Sequence, residues 1–153
     1  MQPSVILTDD WELRGNGSGN VFDLQVRPAR RLMDLYQSLQ ITSTFNVEVL
    51  QQLAFKKAKN ASTQITRDID LWEETVNEML ERGFDVQLHL HPQWWNAVYK
   101  NNGWQLGDKW NIVDYERDEI FEMVSKAVNY LNDRFGSKLQ LCSFRAGSWG
   151  AAP

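Results

Sequence analysis

Four short apolar or β-branched runs alternate along the chain with three segments of helical period, and this alternation restricts the fold more than any other feature. Val5-Ile6-Leu7-Thr8 is a continuous apolar run ended by Asp9-Asp10, the pattern of a strand buried on both faces. Thr42 to Val47 is rich in β-branched residues, Asp85 to His91 alternates and stops at Pro92, and Leu139 to Phe144 forms the fourth run. Between them, Pro28 opens a helix with Leu32, Leu35, Tyr36 and Leu39 on one face. From Asp68 to Arg82, residues Ile69, Trp72, Val76, Met79 and Leu80 fall at helical spacing with Gly83 as the stop, which makes Trp72 a core residue. A third helix from Asp114 carries Ile120, Val124, Val128, Leu131 and Phe135 on one stripe and closes at Gly136. Residues 14–20 are turn chemistry, 48–62 reads as partly helical, and 92–113 is a long tract with two glycines and four tryptophans. The order predicts parallel strands with right-handed crossovers, an α/β domain spanning 1–153.

Composition sets the bounds on function. With 153 residues, 42% hydrophobic and 24% charged, the chain is long enough for one domain with its own core. A net charge of −4 argues against a nucleic-acid or anionic-membrane surface. No apolar stretch approaches a membrane span, and no basic-then-apolar signal opens the chain, so a soluble cytoplasmic protein is expected. The single cysteine, Cys142, lies in an apolar run and is expected to be a buried thiol.

In parallel α/β folds the site gathers at the C-terminal ends of the strands. Those ends carry Asp9 and Asp10, Phe45 and Asn46, His89 and His91, and Arg145. His89 and His91 are the only histidines, and strand period two puts both on one face, half of a transition-metal site. Two imidazoles with a carboxylate form a common catalytic zinc set, and a second carboxylate beside it, oriented by an arginine, suits a general base. Asp9 and Asp10 are adjacent, so both face one site only where the strand turns into its loop. A capping role for the pair and a structural ion pair for Arg145 are the alternatives. Glu12 is within reach of the ion but reads as a solvated loop residue. Trp11, Trp94, Trp95, Trp104, Trp110 and Trp149 all lie in or beside the loops after strand ends. Each taken singly reads as packing, and the group together reads as aromatic platforms for a carbohydrate.

The chain resembles the NodB-like polysaccharide deacetylases, a carbohydrate esterase family with a distorted parallel β/α barrel. Thr8-Asp9-Asp10 resembles the first motif, Thr-Phe-Asp-Asp; Ser43-Thr44-Phe45 resembles the strand after the first helix; His89 and His91 fall where the metal-binding histidines belong; Phe144-Arg145-Ala146-Gly147 resembles the Arg-x-Pro motif. The resemblance implies Asp9 as catalytic base oriented by Arg145. It implies Asp10, His89 and His91 as ligands of Zn2+ or another divalent transition metal, with Trp11, Trp94, Trp95 and Trp149 against a carbohydrate substrate. It implies a metal-dependent hydrolase removing N-acetyl groups from an acetamido sugar of a polysaccharide or glycolipid.

Three departures qualify the resemblance. The histidines are two apart rather than four, with Gln93 at the four-spaced position, which points to a divergent surface-polysaccharide branch. Gly147 replaces the proline of the arginine motif. The chain stops at Pro153 with no histidine after His91, so the expected object is the N-terminal part of a barrel, about four strands, with the C-terminal half missing and little activity of its own. A same-fold hydrolase of another C–N amide bond, a non-catalytic carbohydrate-binding domain and a structural fragment without a site are the competing readings.

Overall fold

The computed structural model describes residues 5–149, the side chain of Trp149 excepted. Its centre is a curled, four-stranded parallel sheet, half of a barrel, in the sequential order β1 (Thr8–Trp11), β2 (Thr44–Glu48), β3 (Asp85–Leu90) and β6 (Phe144–Ala146). Helices α1 (Arg27–Ser38), α2 (Val49–Lys57), α3 (Thr63–Glu81) and α4 (Arg117–Phe135) fill the connections. A small antiparallel hairpin, β4 (Val98–Lys100) and β5 (Gly103–Gln105), lies within the connection from β3 to α4. This is the alternation expected from the sequence, and the barrel seen is partial. Among the described residues no helix is long and apolar enough to cross a membrane.

The core lies between the sheet and its helices. Phe45, Val47, Val86, Leu88 and Leu90 from the strands meet Trp72, Val76 and Met79 of α3 and Met123, Ala127 and Leu131 of α4, all fully or almost fully buried. Burying each valine, leucine, phenylalanine or methionine among them is worth about 1.5–3 kcal/mol. Trp72 is core, as its spacing predicted. The α1 stripe is shifted by comparison: Ala29 and Met33 are buried, while Leu35 and Leu39 are exposed.

Three boundaries differ from the sequence reading, each for a physical reason. Strand β1 runs through the acidic pair to Trp11 instead of ending at Thr8, because its ladder with β2 pairs Thr8 with Thr44 and Trp11 with Val47. Val5 and Ile6 are exposed instead. Residues 139–143 are not a strand, because the side chain of Gln87 takes over the ladder: its Oε1 accepts from the backbone N–H of Cys142 and of Ser143, both at 2.9 Å, and its Nε2 donates to the Gln140 carbonyl at 3.0 Å. That detour leaves Cys142 exposed rather than buried. The segment after β2 enters α2 with no loop at all. Glu48 ends the strand and caps the helix, its Oε1 accepting from Leu50 N–H at 2.7 Å and Gln51 N–H at 3.2 Å.

Candidate metal centre

Strand β3 delivers the two histidines. Val86, Leu88 and Leu90 face the helices, so Gln87, His89 and, just past the strand, His91 share the concave face. The rings meet edge to face at 4.9 Å, with His89 almost fully buried and His91 nearly so. His89 Nδ1 lies 2.9 Å from the Arg145 carbonyl, an acceptor only, so Nδ1 carries a proton and Nε2 is the nitrogen turned toward Glu12. His91 Nδ1 lies 3.1 Å from the amide of Gln93, which is fully buried. Gly147 makes room for the His91 ring: a Cβ there would lie 2.5 Å from Nδ1. That close approach is one only glycine permits.

The carboxylate that meets these rings is Glu12. Its Oε2 lies 3.2 Å from His89 Nε2 and 2.5 Å from His91 Nε2. Burial pushes its carboxyl up, but hydrogen bonds from both imidazoles and their attraction more than offset this, taking it down to about 2. Burial pulls His91 down, and Glu12 and the nearby Glu48 raise it by a larger amount. Glu48 sits behind, fully buried, its second oxygen accepting from the backbone N–H of His91. Burial pushes its carboxyl up to about 8 against the pull of His91 and the Gln51 N–H.

Glu12, Glu48, His89 and His91 each offer a ligand atom, all within 4.8 Å of one another, and this group could hold a metal ion. The fit is chemical as well as spatial. Donors about 2.0–2.1 Å from a tetrahedral zinc lie roughly 3.3 Å apart, close to the 3.2 Å between Glu12 Oε2 and His89 Nε2, whereas the 2.5 Å from Glu12 Oε2 to His91 Nε2 is a hydrogen-bond distance that an ion would have to open. Two imidazoles and a carboxylate are a donor set suited to a divalent transition metal.

Glu12, His89 and His91 line a pocket of about 460 Å3 together with Thr8, Asp10, Arg145 and residues 146–148, with Glu48 behind it. Arg145 spans its mouth, Nη1 to Asp10 Oδ1 at 2.5 Å and Nη2 to Thr8 Oγ1 at 2.8 Å. Of the residues expected at the site, His89, His91, Asp10 and Arg145 come together and Asp9 does not. Because β1 continues past the acidic pair, Asp9 points to the opposite face, where Tyr36 of α1 donates to it at 3.1 Å. Burial raises its pKa, countered by that hydrogen bond. The residues that share the concave face are Asp10 and Glu12, two apart on one strand edge. Asp10 is drawn to Arg145, and Glu12 stands at the position beside the histidines where Asp10 was expected.

The tryptophans also require correction. Trp11 is buried on the helical side, 5.4 Å from Trp72, with its Nε1 donating to the Gln25 carbonyl. Trp94 is buried between Phe55 and Trp104. Trp95 is half-buried, but it lies under Lys57 and Lys126 and lines no part of the histidine pocket. The expectation for Trp149 falls on a side chain outside the described residues. Sequence reasoning set Glu12 aside and missed Glu48 and Gln93. Glu12 carried a usable signal, its spacing of two from Asp10. No family model, no curated protein and no solved structure matches the chain.

Proposed function

We propose that the protein is a metal-dependent hydrolase of the NodB-like deacetylase type, removing N-acetyl groups from an acetamido sugar of a polysaccharide or glycolipid. The observation that carries the reading is the meeting of Glu12 with His89 and His91 in a pocket whose mouth holds an Asp10–Arg145 pair. Glu12, His89 and His91 would hold a divalent ion such as zinc, with Glu48 supplying further negative charge behind them. Such an ion, when bound, supplies a Lewis acid for the acetyl carbonyl and lowers the pKa of water to about 7.

The remaining roles belong to the chain. Asp10 takes the part of general base that the resemblance gave to Asp9, because its carboxylate lines the pocket and Asp9 does not. Arg145 orients that carboxylate through a direct ion pair. The Arg145 carbonyl holds the His89 tautomer, so this one residue serves both halves of the site. The sugar half of the reading rests on the family likeness. The competing binding-module reading used the strand-end tryptophans and loses Trp11 and Trp94 to the core.

The test begins with metal content. Protein purified without added metal and then offered zinc should carry about one ion per chain, and His89→Ala with His91→Ala should carry none. Acetate release from N-acetylglucosamine oligomers, abolished by Asp10→Asn with metal retained, then tests the reaction. A wild type that never holds metal removes the proposal, as does full turnover in Asp10→Asn.

A further inference from the structure

A second cavity, also about 460 Å3, lies among the 16–20 turn, the β4–β5 hairpin and α3, and shares no lining residue with the histidine pocket. We propose that it is a binding site for a neutral saccharide, independent of the metal reading.

One wall of this cavity is aromatic. Trp104 stacks on Phe55 with ring centroids 4.7 Å apart and planes 7° from parallel, which fixes the indole. Tyr99 meets Trp104 edge to face at 5.2 Å, and both Tyr99 and Trp104 remain partly exposed to the cavity. Rigid aromatic surface of this kind suits the C–H face of a sugar ring and orders little on binding.

Another part of the lining is polar. Asp68 is 7% exposed, and its Oδ1 accepts from Gln64 Nε2 at 2.8 Å. Among the described residues no lysine or arginine makes an ion pair with it. Its carboxylate lines the cavity with acceptor capacity to spare, in keeping with burial pushing its pKa up against the Gln64 bond and Arg67. The third wall is the turn through Gly17 and Gly19, at φ 73° and 100°, which presents short polar groups and backbone in place of bulk. Gly17 is needed there for packing as well, since a Cβ would lie 3.2 Å from that of Trp104.

The lining selects the ligand class. It contains no lysine or arginine, so nothing compensates a phosphate, sulfate or carboxylate. Amide and hydroxyl groups from Gln64, Asn102 and Ser18 offer donors and acceptors together, which is what a row of sugar hydroxyls requires. An ammonium ligand would use the aromatic faces and Asp68 but leave those donors unused.

The experiment is titration of a panel of neutral oligosaccharides built from glucose, mannose, galactose and N-acetylglucosamine, with choline and inorganic phosphate alongside. Binding is read by calorimetry and by the indole NMR signal of Trp104. All measurements are made in chelator, so the outcome does not depend on whether the Glu12–histidine cluster holds an ion. At least one oligosaccharide should bind and shift the Trp104 signal. Asp68→Leu and, separately, Tyr99→Ala should each weaken binding about tenfold or more, with the fold checked by circular dichroism. Tyr99 sits on the outlying hairpin, so that variant stays informative should Asp68→Leu fail to fold. Binding by no sugar, binding that leaves Trp104 unmoved, affinity unchanged in Tyr99→Ala, or binding by choline or phosphate in place of the sugars overturns the proposal.

Discussion

Two of the buried carboxylates, Glu73 and Glu48, are treated in opposite ways. Glu73 on α3 is surrounded by donors: Lys56 at 3.0 Å, Arg134 at 2.5 Å and the Tyr130 hydroxyl at 2.8 Å. Burial pushes its carboxyl up, but those bonds and the charge of Lys56 carry it below the usual range. Glu48 is more deeply buried and receives only backbone N–H groups, beside a second carboxylate, Glu12, and two histidines. Burial takes it up to about 8. A carboxylate the fold means to keep ionised is given cations, as at Glu73. At Glu48 no lysine or arginine of the described residues forms an ion pair, and the groups gathered around it, Glu12, His89 and His91, could hold a metal ion with it. The difference separates a carboxylate neutralised by its own network from one whose neighbours could hold a cation.

The largest expected effects come from crossing the two sites. Glu48→Gln should weaken zinc binding by about 10–100-fold, the range seen when groups supporting metal ligands are lost. Glu73→Gln should leave zinc binding unchanged and instead lower stability by about 2 kcal/mol, because charge-assisted bonds are lost to partners that are half exposed. That corresponds to roughly 4–8 °C in Tm for a chain of this size. Competition titration with a zinc chelator and thermal unfolding measure the two effects. Equal loss of zinc affinity in both variants would erase the distinction.

The same contrast has a pH signature of opposite sign at the two sites. At Glu73 the folded pKa is lowered, so its contribution is present above the unfolded value of 4.5 and is lost as pH falls through the folded value. At Glu48 the folded pKa is raised, so its contribution is full below 4.5 and is lost as pH rises toward about 8. His91, raised above 6.5, acts in the same direction as Glu48 at the upper end. Metal-free protein should therefore lose stability on both sides of mildly acidic pH. Saturating zinc should flatten the alkaline side alone, since a bound cation favours ionised Glu48 and neutral His91. Urea unfolding from about pH 2 to about pH 9, with and without zinc, provides the check. An alkaline slope that zinc leaves unchanged would mean that the cluster does not take the ion.

Much of the frame could be read from residue order, because strand and helix periods are local. The histidine pair followed from period two on β3 and stands as expected. What failed depended on partners distant in the chain. The end of β1 is decided by its ladder to β2, and that one difference turned Asp9 away and made Asp10 and Glu12 the pair on the concave face. Residues 139–143 look like a strand, yet their donors are captured by Gln87 more than fifty positions earlier. Trp11 and Trp94 sit beside strand ends like a ligand platform would, and only the positions of Trp72 and Phe55 show them to be core. Glu48 gave no sign, since a strand that becomes a helix at its capping residue leaves no loop to notice.

The smallest expected effect tests whether compensation at Glu73 is shared. Lys56 is 42% exposed on its side chain, and its ammonium also lies 5.0 Å from the Tyr130 ring. In Lys56→Met the carboxylate keeps Arg134 and Tyr130, and the methionine keeps most of the apolar stem. The cost should be about 0.5 kcal/mol, the range of exposed ion pairs, and salt should diminish it. Thermal unfolding of Lys56→Met at low and high salt measures it directly. A loss as large as that in Glu73→Gln would mean that Lys56 alone keeps Glu73 ionised. The network would then be one ion pair, and Glu48 would differ from Glu73 by a single missing lysine. A small loss places the difference in kind: Glu73 has spare donors from three side chains, whereas Glu48 receives only backbone donors among the described residues.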